Sequence, residues 1–302
     1  THLPTPSGFA TKNPGCKHAC GHDAHMSMGL AVCHWLMDNK DKLSGKVKIL
    51  FQPAEEGVRG AAGMAASGIL DDCDYFLSSH VAMLAKSGEL ATNLYGFLCT
   101  AKYDVTFNGR ASHAGVSPQE GRNALAAAAN ATVQMLGISR HGGGMTRINI
   151  GQLVAGEGRN VIPSKAVMKL EVRGETMEIN NYMSEQVTNI VDGIAKGFSV
   201  TYDMRKMGEA GDLTADQELI DILNESGREV GLKVLDKPLN FGGSEDATIL
   251  ARRVQAHGGK AAFFVWGSDR PSGHHSALFD IQEKDMAPAF DLWTHVLPKI
   301  LK

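Results

Sequence analysis

The sequence predicts an α/β protein in two parts: a metal-binding α/β catalytic unit interrupted by an inserted βαββαβ unit of ferredoxin-like order. Three observations carry this expectation. Over residues 46–79 a strand, a small-residue helix and a second strand follow one another, with polar residues at the strand ends. Over residues 102–206 the texture changes to the order β-α-β-β-α-β, the split βαβ arrangement. After about residue 210 the first texture resumes, so the middle unit reads as an insertion. The expected division is 1–98 with 210–302 for the first unit and 99–209 for the second, which is long enough to be a domain.

Each element has a local reason. Met26, Leu30, Val32, Cys33, Leu36 and Met37 recur at helical spacing through residues 24–43, and Ser44-Gly45 ends that helix. Residues 46–51 read as a strand, broken by Gln52-Pro53 ahead of Ala54-Glu55-Glu56-Gly57. A helix of small residues then runs to about Gly68, and a strand over residues 74–79 delivers His80 at its end. In open α/β sheets, ligands bind beyond the carboxyl ends of the strands. In the second unit, residues 102–108 alternate as a half-buried strand, 109–115 form a polar glycine-bounded loop, and 121–136 form an alanine-rich helix. Strands over 146–154 and 165–173 flank a turn at Asn160-Val161-Ile162-Pro163, and a helix over 177–196 with a strand over 198–206 completes the unit. Beyond it come helices over 216–231 and 244–253, the latter with Ser244 as its N-cap. A buried strand at 261–266, a loop bearing His274-His275 and a terminal helix over 284–301 close the chain.

Composition narrows the classes. At 302 residues and 43% hydrophobic, the chain can bury a full core. A net charge of −3 with no basic stripe speaks against nucleic acid. No apolar run approaches the roughly 20 residues that span a bilayer, and no signal peptide is visible. Five cysteines at irregular spacing suit a reducing compartment, so a cytoplasmic protein is expected. Thr1 is not Met and residues 1–14 read as loop, so the numbering is expected to begin partway into a domain.

The densest chemistry lies at Cys16-Lys17-His18-Ala19-Cys20-Gly21-His22-Asp23-Ala24-His25. A thiolate and an imidazole on either side of a glycine suit Zn²⁺ or Mn²⁺, but two donors do not hold a metal. Further donors stand at Glu55-Glu56, His80 and His274-His275, each where an apolar run ends. Singly, each has an ordinary explanation: a strand-end histidine is usually structural, a Glu-Glu pair is a solvated helix start, a cysteine is a small buried apolar residue. Together they point to metal. One thiolate, two or three imidazoles and one carboxylate can serve two ions about 3.5–4 Å apart that activate a water and polarise a carbonyl. One carboxylate of the Glu55-Glu56 pair is then left to carry a proton.

The segments Cys20-Gly21-His22-Asp23-Ala24-His25, Gln52-Pro53-Ala54-Glu55-Glu56, Ser112-His113-Ala114, Asn160-Val161-Ile162-Pro163, Gly243-Ser244-Glu245-Asp246 and His274-His275 with Phe279 resemble the M20 metallopeptidase family. Within it they are similar to the amidohydrolase branch that includes hippurate and auxin-conjugate hydrolases. The likeness runs in order through essentially the whole chain. It implies two divalent metal ions, Mn²⁺ or Zn²⁺, bridged by Cys20, with His22, Glu56, His80 and one of His274 and His275 as further ligands. His275 is the first choice because it stands four residues before Phe279. Glu55 would be the general base, Asp23 and His25 would support the ligands, and His18 and Cys16 would be structural. The resemblance makes the inserted unit a dimerisation domain whose His113 reaches the active site of the other protomer and donates to the developing oxyanion. Asn160 and Arg173 would hold the substrate's free carboxylate, which a planar guanidinium grips bidentately.

The implied reaction is hydrolysis of the amide of an N-acyl amino acid, first of all p-aminobenzoyl-glutamate. A homodimer is implied, or a heterodimer with a paralogous partner chain. Two departures stand out: the family's first strand with its Asp-x-Asp segment has no counterpart here, and Ala277 stands where the family has proline. Three rival readings remain: a deacylase for another N-acyl amino acid (hippurate-like, N-acetyl or N-succinyl), a catalytically silent dimer partner of the same fold, and an enzyme with Cys20 as nucleophile.

Overall fold

The computed structural model describes residues 17–301; the loop expected over 1–14 and Cys16 lie outside them. The chain runs α1 (His22–Asn39), a 3-10 turn (Glu55–Gly57), α2 (Gly60–Ala66), β1 (Tyr75–Val81), β2 (Glu89–Ala91) and β3 (Leu94–Tyr95). Then come β4 (Cys99–Asn108), α3 (Ala124–Leu136), β5 (Thr146–Ala155), β6 (Lys165–Gly174), α4 (Met177–Phe198) and β7 (Thr201–Ala210). It ends with α5 (Gln217–Glu229), β8 (Lys233–Val234), β9 (Leu239–Asn240), α6 (Ala247–Ala256), β10 (Lys260–Trp266) and α7 (Met286–Ile300).

The middle run forms one sheet in the order β5-β6-β4-β7, every neighbouring pair antiparallel. With α3 and α4 between its strands, this is the ferredoxin-like arrangement. Alternation along β4 buries Tyr103, Val105 and Phe107 and turns Lys102, Asp104 and Thr106 to the other face. The buried face packs on Ala124, Ala127, Ala128 and Ala131 of α3 and on Met183, Val187 and Val191 of α4. The alanines let α3 lie close on the sheet. Every buried member of this core comes from residues 101–200.

The other half is built on β10, which pairs with β1 in parallel from Tyr75↔Lys260 to Val81↔Trp266 and with β2 antiparallel. Helices cover both faces of β10. Ala262, Phe264 and Trp266 pack with Leu219, Leu223, Leu292 and Val296, while Ala261, Phe263 and Val265 pack with Phe97, Ala247 and Ala251. Such two-sided burial explains its unbroken apolar run. The two sheets meet at the Glu55–Gly57 turn. The Glu209 N–H donates to the Val58 carbonyl at 2.7 Å, and a Cβ on Gly208 would collide with the Gly57 carbonyl. Among the described residues no helix is long and apolar enough to cross a membrane.

Two expected elements differ. Residues 46–51 form no strand: β1 pairs with β10 alone, no described strand borders the segment, and a strand needs a neighbour for its backbone groups. Lys48 instead anchors the segment by donating to the Ile69 carbonyl at 2.7 Å. Ser244 does not cap α6, which begins three residues later; its hydroxyl donates to the Leu98 carbonyl at 2.7 Å.

Candidate metal centre

The site grows from three backbone devices. The first is Gly21 at φ +85, where a Cβ would strike the Val81 side chain. Glycine alone adopts this left-handed turn without penalty, and it lets Cys20 and the first residue of α1, His22, face one space. The second is the turn holding Glu55 and Glu56, bracketed by Ala54 at φ 59 and Val58 at φ 49. A β-branched residue there is a strained outlier, kept only where the surroundings impose it. Asp246 imposes it here. Its buried carboxylate accepts from the Gln52 side chain and from the Ala61 N–H at 3.3 Å, gripping both ends of the turn. The third is His275 at φ 62, whose N–H donates to the Ala19 carbonyl at 2.7 Å and ties the two histidine-bearing loops together.

These devices converge the donors. Cys20 Sγ lies 3.5 Å from His80 Nε2. His80 Nδ1 donates to the Val81 carbonyl at 2.8 Å, so its Nε2 carries a free lone pair, the tautomer a metal-ligating imidazole needs. His22 Nε2 stands 3.5 Å from Glu55 Oε2, and His275 Nε2 3.2 Å from Glu56 Oε2. One donor atom each from Cys20, Glu56 and His275 lies within 4.8 Å of the others; so do those of His22, Glu55 and Glu56, and those of Cys20, His80 and His274. His274 has both ring nitrogens engaged: Arg270 donates to Nδ1 at 2.6 Å and Nε2 faces the Val81 carbonyl at 3.3 Å.

The electrostatics belong to a cation site. Burial, with Glu56 and Glu55 adding to it, pushes the Cys20 thiol up to about 12. Burial holds His80 down to about 3 and, with Arg270 adding to it, His274 to about 4. Glu55 is pushed up to about 7 by burial, then by Asp246 and Glu56, and Glu245 up to about 8 by burial, then by Glu55. A thiol, carboxylates and neutral imidazoles crowd together, with the Arg270 guanidinium at the His274 edge of the group. This soft-and-hard donor set fits borderline divalent ions, whose charge reverses shifts of this kind.

Other expected residues lie elsewhere. The His25 Nε2 accepts from the Val81 N–H at 2.9 Å and so steadies the end of β1. Asp23 turns away to His18 at 2.8 Å, whose ring packs edge-on against Phe279. His113 is exposed, and its Nδ1 accepts from the Gly115 N–H at 3.2 Å. The Ala114 N–H donates to the Asn160 carbonyl at 2.9 Å; these two loops come together with each other and not with the donor cluster. Arg173 holds Glu171 at 3.1 and 3.4 Å. Asp246, Glu245 and Gln52 receive no role from the sequence, although each lies inside a quoted motif; the contact between Gln52 and Asp246 spans 194 positions of chain and has no local signature.

The profile described as Peptidase family M20/M25/M40 matches residues 3–299. The chain belongs to this family. As an M20 hydrolase it has well-matched relatives. It is 52% identical over 301 residues, covering 99% of the chain and 71% of the relative, to a Haemophilus influenzae homolog of one component of p-aminobenzoyl-glutamate hydrolase. It is 41% identical to an indole-3-acetyl-aspartic acid hydrolase of Enterobacter agglomerans, over 96% of the chain and 67% of that protein. Among solved structures, the aminobenzoyl-glutamate utilization protein from Klebsiella pneumoniae superposes with a TM-score of 0.81 at 38% identity, over 91% of this chain and 67% of that one. The Klebsiella structure shares the overall fold over the superposed residues.

Proposed function

We propose that the protein is a dinuclear metal-dependent amidohydrolase that cleaves p-aminobenzoyl-glutamate to p-aminobenzoate and glutamate. The observation that carries this reading is the Cys20, His22, Glu55, Glu56, His80 and His275 cluster in a chain 52% identical to a relative named for that hydrolase. Cys20, His22, Glu56, His80 and His275 would hold the two ions, with Cys20 as the shared donor; His275 is preferred because both ring nitrogens of His274 are taken. A pair of divalent ions, Mn²⁺ or Zn²⁺, supplies Lewis acidity that acidifies a water and polarises the scissile carbonyl. Glu55 takes the proton from the attacking water and hands it to the leaving nitrogen, as general acid–base catalysis requires. Arg173 holds the free carboxylate together with the partner's Asn160, which lies beside His113 in the same pair of loops, and the partner's His113 donates to the oxyanion.

The metal-binding domain is 1–98 with 210–302, and 99–209 is the dimerisation domain. The edge of β5 lacks a described partner strand, and Leu153 and Val154 on it and Val133 and Leu136 on α3 are 39–72% exposed. An apolar open edge of this kind invites a second copy. The Haemophilus relative is named as one component of a multi-chain enzyme, which keeps a paralogous partner as the alternative. The irregular cysteine spacing supports a cytoplasmic setting.

Elemental analysis joined to a substrate panel tests the reading. Two divalent ions per chain are expected, with chelation abolishing hydrolysis and Mn²⁺ or Zn²⁺ restoring it. p-Aminobenzoyl-glutamate should be turned over faster than hippurate, N-acetyl or indole-3-acetyl-aspartate conjugates. Preference for an N-acetyl substrate would make it a deacylase, and metal-independent turnover would return Cys20 to candidacy as nucleophile.

A further inference from the structure

We propose that Lys102 is a second carboxylate-binding cation of this site and makes the enzyme select acidic leaving amino acids. The inference rests on the amidohydrolase reading above. In the antiparallel register Lys102 stands opposite Gly208 of β7 and opposite Glu171 of β6, and residues directly opposite share a face of the sheet. The turn carrying Glu55 lies on that face, because a Cβ on Gly208 would meet the Gly57 and Val58 carbonyls. Lys102 therefore projects to the side of the sheet where the proposed base sits, and its charge is felt at Glu55.

Lys102 is half-buried, yet among the described residues no hydrogen bond or ion pair holds its ammonium. A half-buried lysine buries its stem and keeps its ammonium at the open end, here on the side of the Glu55 turn. The nearest acid in the register, Glu171, is engaged by Arg173 at 3.1 and 3.4 Å. Glu171 takes the Nε and Nη2 of Arg173 and, among the described residues, leaves the Arg173 Nη1 donors and the Lys102 ammonium open to incoming carboxylates. Arg173 is the diagonal neighbour of Lys102 across β4 and β6, a separation of roughly 7–8 Å between backbones. Two cations so spaced fit the two carboxylates of one dicarboxylic amino acid: the α-carboxylate at Arg173, the side-chain carboxylate at Lys102. A leaving group with a neutral side chain would leave the ammonium without a counter-charge.

The test uses the metal-loaded protein with Lys102→Met and Lys102→Arg. Calorimetric binding of free glutamate and free glutamine is measured beside kcat and KM on their p-aminobenzoyl conjugates. The wild type should favour glutamate over glutamine by about tenfold or more, the scale of one charged hydrogen bond. Lys102→Met should erase most of that ratio through KM, and Lys102→Arg should keep it. Equal losses on both ligands, or an unchanged ratio in Lys102→Met, would overturn the assignment. The two readings fail separately. Selective glutamate binding without hydrolysis of either conjugate removes the amidohydrolase reading and keeps Lys102; hydrolysis with no glutamate preference does the reverse.

Discussion

Val58 at φ 49 and Ala54 at φ 59 hold the two carboxylates in a turn the residues would not choose, and Asp246 is what makes them stay. The consequences can be read residue by residue. Glu55→Gln keeps size and hydrogen-bonding shape but cannot accept a proton, so it should retain two metal ions and lose about 10²–10⁴ in kcat; retained turnover with full metal would remove Glu55 as the base. Proton counting gives a second expectation. The Cys20 thiol, at about 12, is protonated in the metal-free protein at neutral pH, while His80, at about 3, is already neutral. Metal capture must then expel the thiol proton, so affinity should climb as pH rises, by about tenfold per unit for one proton released. Calorimetry in buffers of different ionisation enthalpy reads this directly. A pH-independent affinity would mean that Cys20 stays a thiol and does not ligate. Most of the donors were legible in the sequence because each ends an apolar run. The grip of Asp246 on Gln52 and Ala61 was not, because a contact made by the fold leaves no spacing to read.

The same division holds for the elements. β4 to β7 with α3 and α4 are legible to within a few residues because alternation and helical periodicity each persist for ten residues or more. The strand expected at 46–51 fails because alternation says only that a segment can pair, while pairing needs a neighbour in space. Contact between elements is equally silent in sequence, and Gly208 is the instance that matters: β7 rests on the Glu55–Gly57 turn only because no side chain intervenes. Gly208→Ala should push the two apart, costing on the order of 1–3 kcal/mol by overpacking and lowering metal occupancy along with Tm. Gly193, in α4 with nothing within 4 Å of an added Cβ, is the control. Gly193→Ala should raise stability by roughly 0.5–1 kcal/mol and leave metal content alone. If both substitutions behave alike in thermal unfolding and elemental analysis, the close approach at Gly208 does not position the turn.

At the scale of the whole molecule, the question is how His113, in the proposed role, would meet a substrate. Lys102, near one end of β4, stands beside the Glu55 turn, whereas His113 follows the opposite end of that strand at Asn108. The stretch of strand between Lys102 and Asn108 spans about 20 Å, too far for an imidazole to reach the donor cluster of its own chain. The exposed His113 loop, the open edge of β5 and the apolar face of α3 all belong to one unit, so a second copy docked there can receive the histidine. A heterodimer of His113→Ala and Glu55→Gln chains, isolated with two different tags, separates the possibilities. If His113 acts across the interface, one site combines both lesions and the other combines none. Two inactive parents should then give about half the wild-type kcat per dimer, since losing an oxyanion donor alone costs on the order of 10²–10³. If His113 serves its own protomer, each site keeps one lesion and the heterodimer stays as inactive as its parents. Metal content near two ions per chain in every preparation ensures that the activity reports the geometry of the shared site and not its loading.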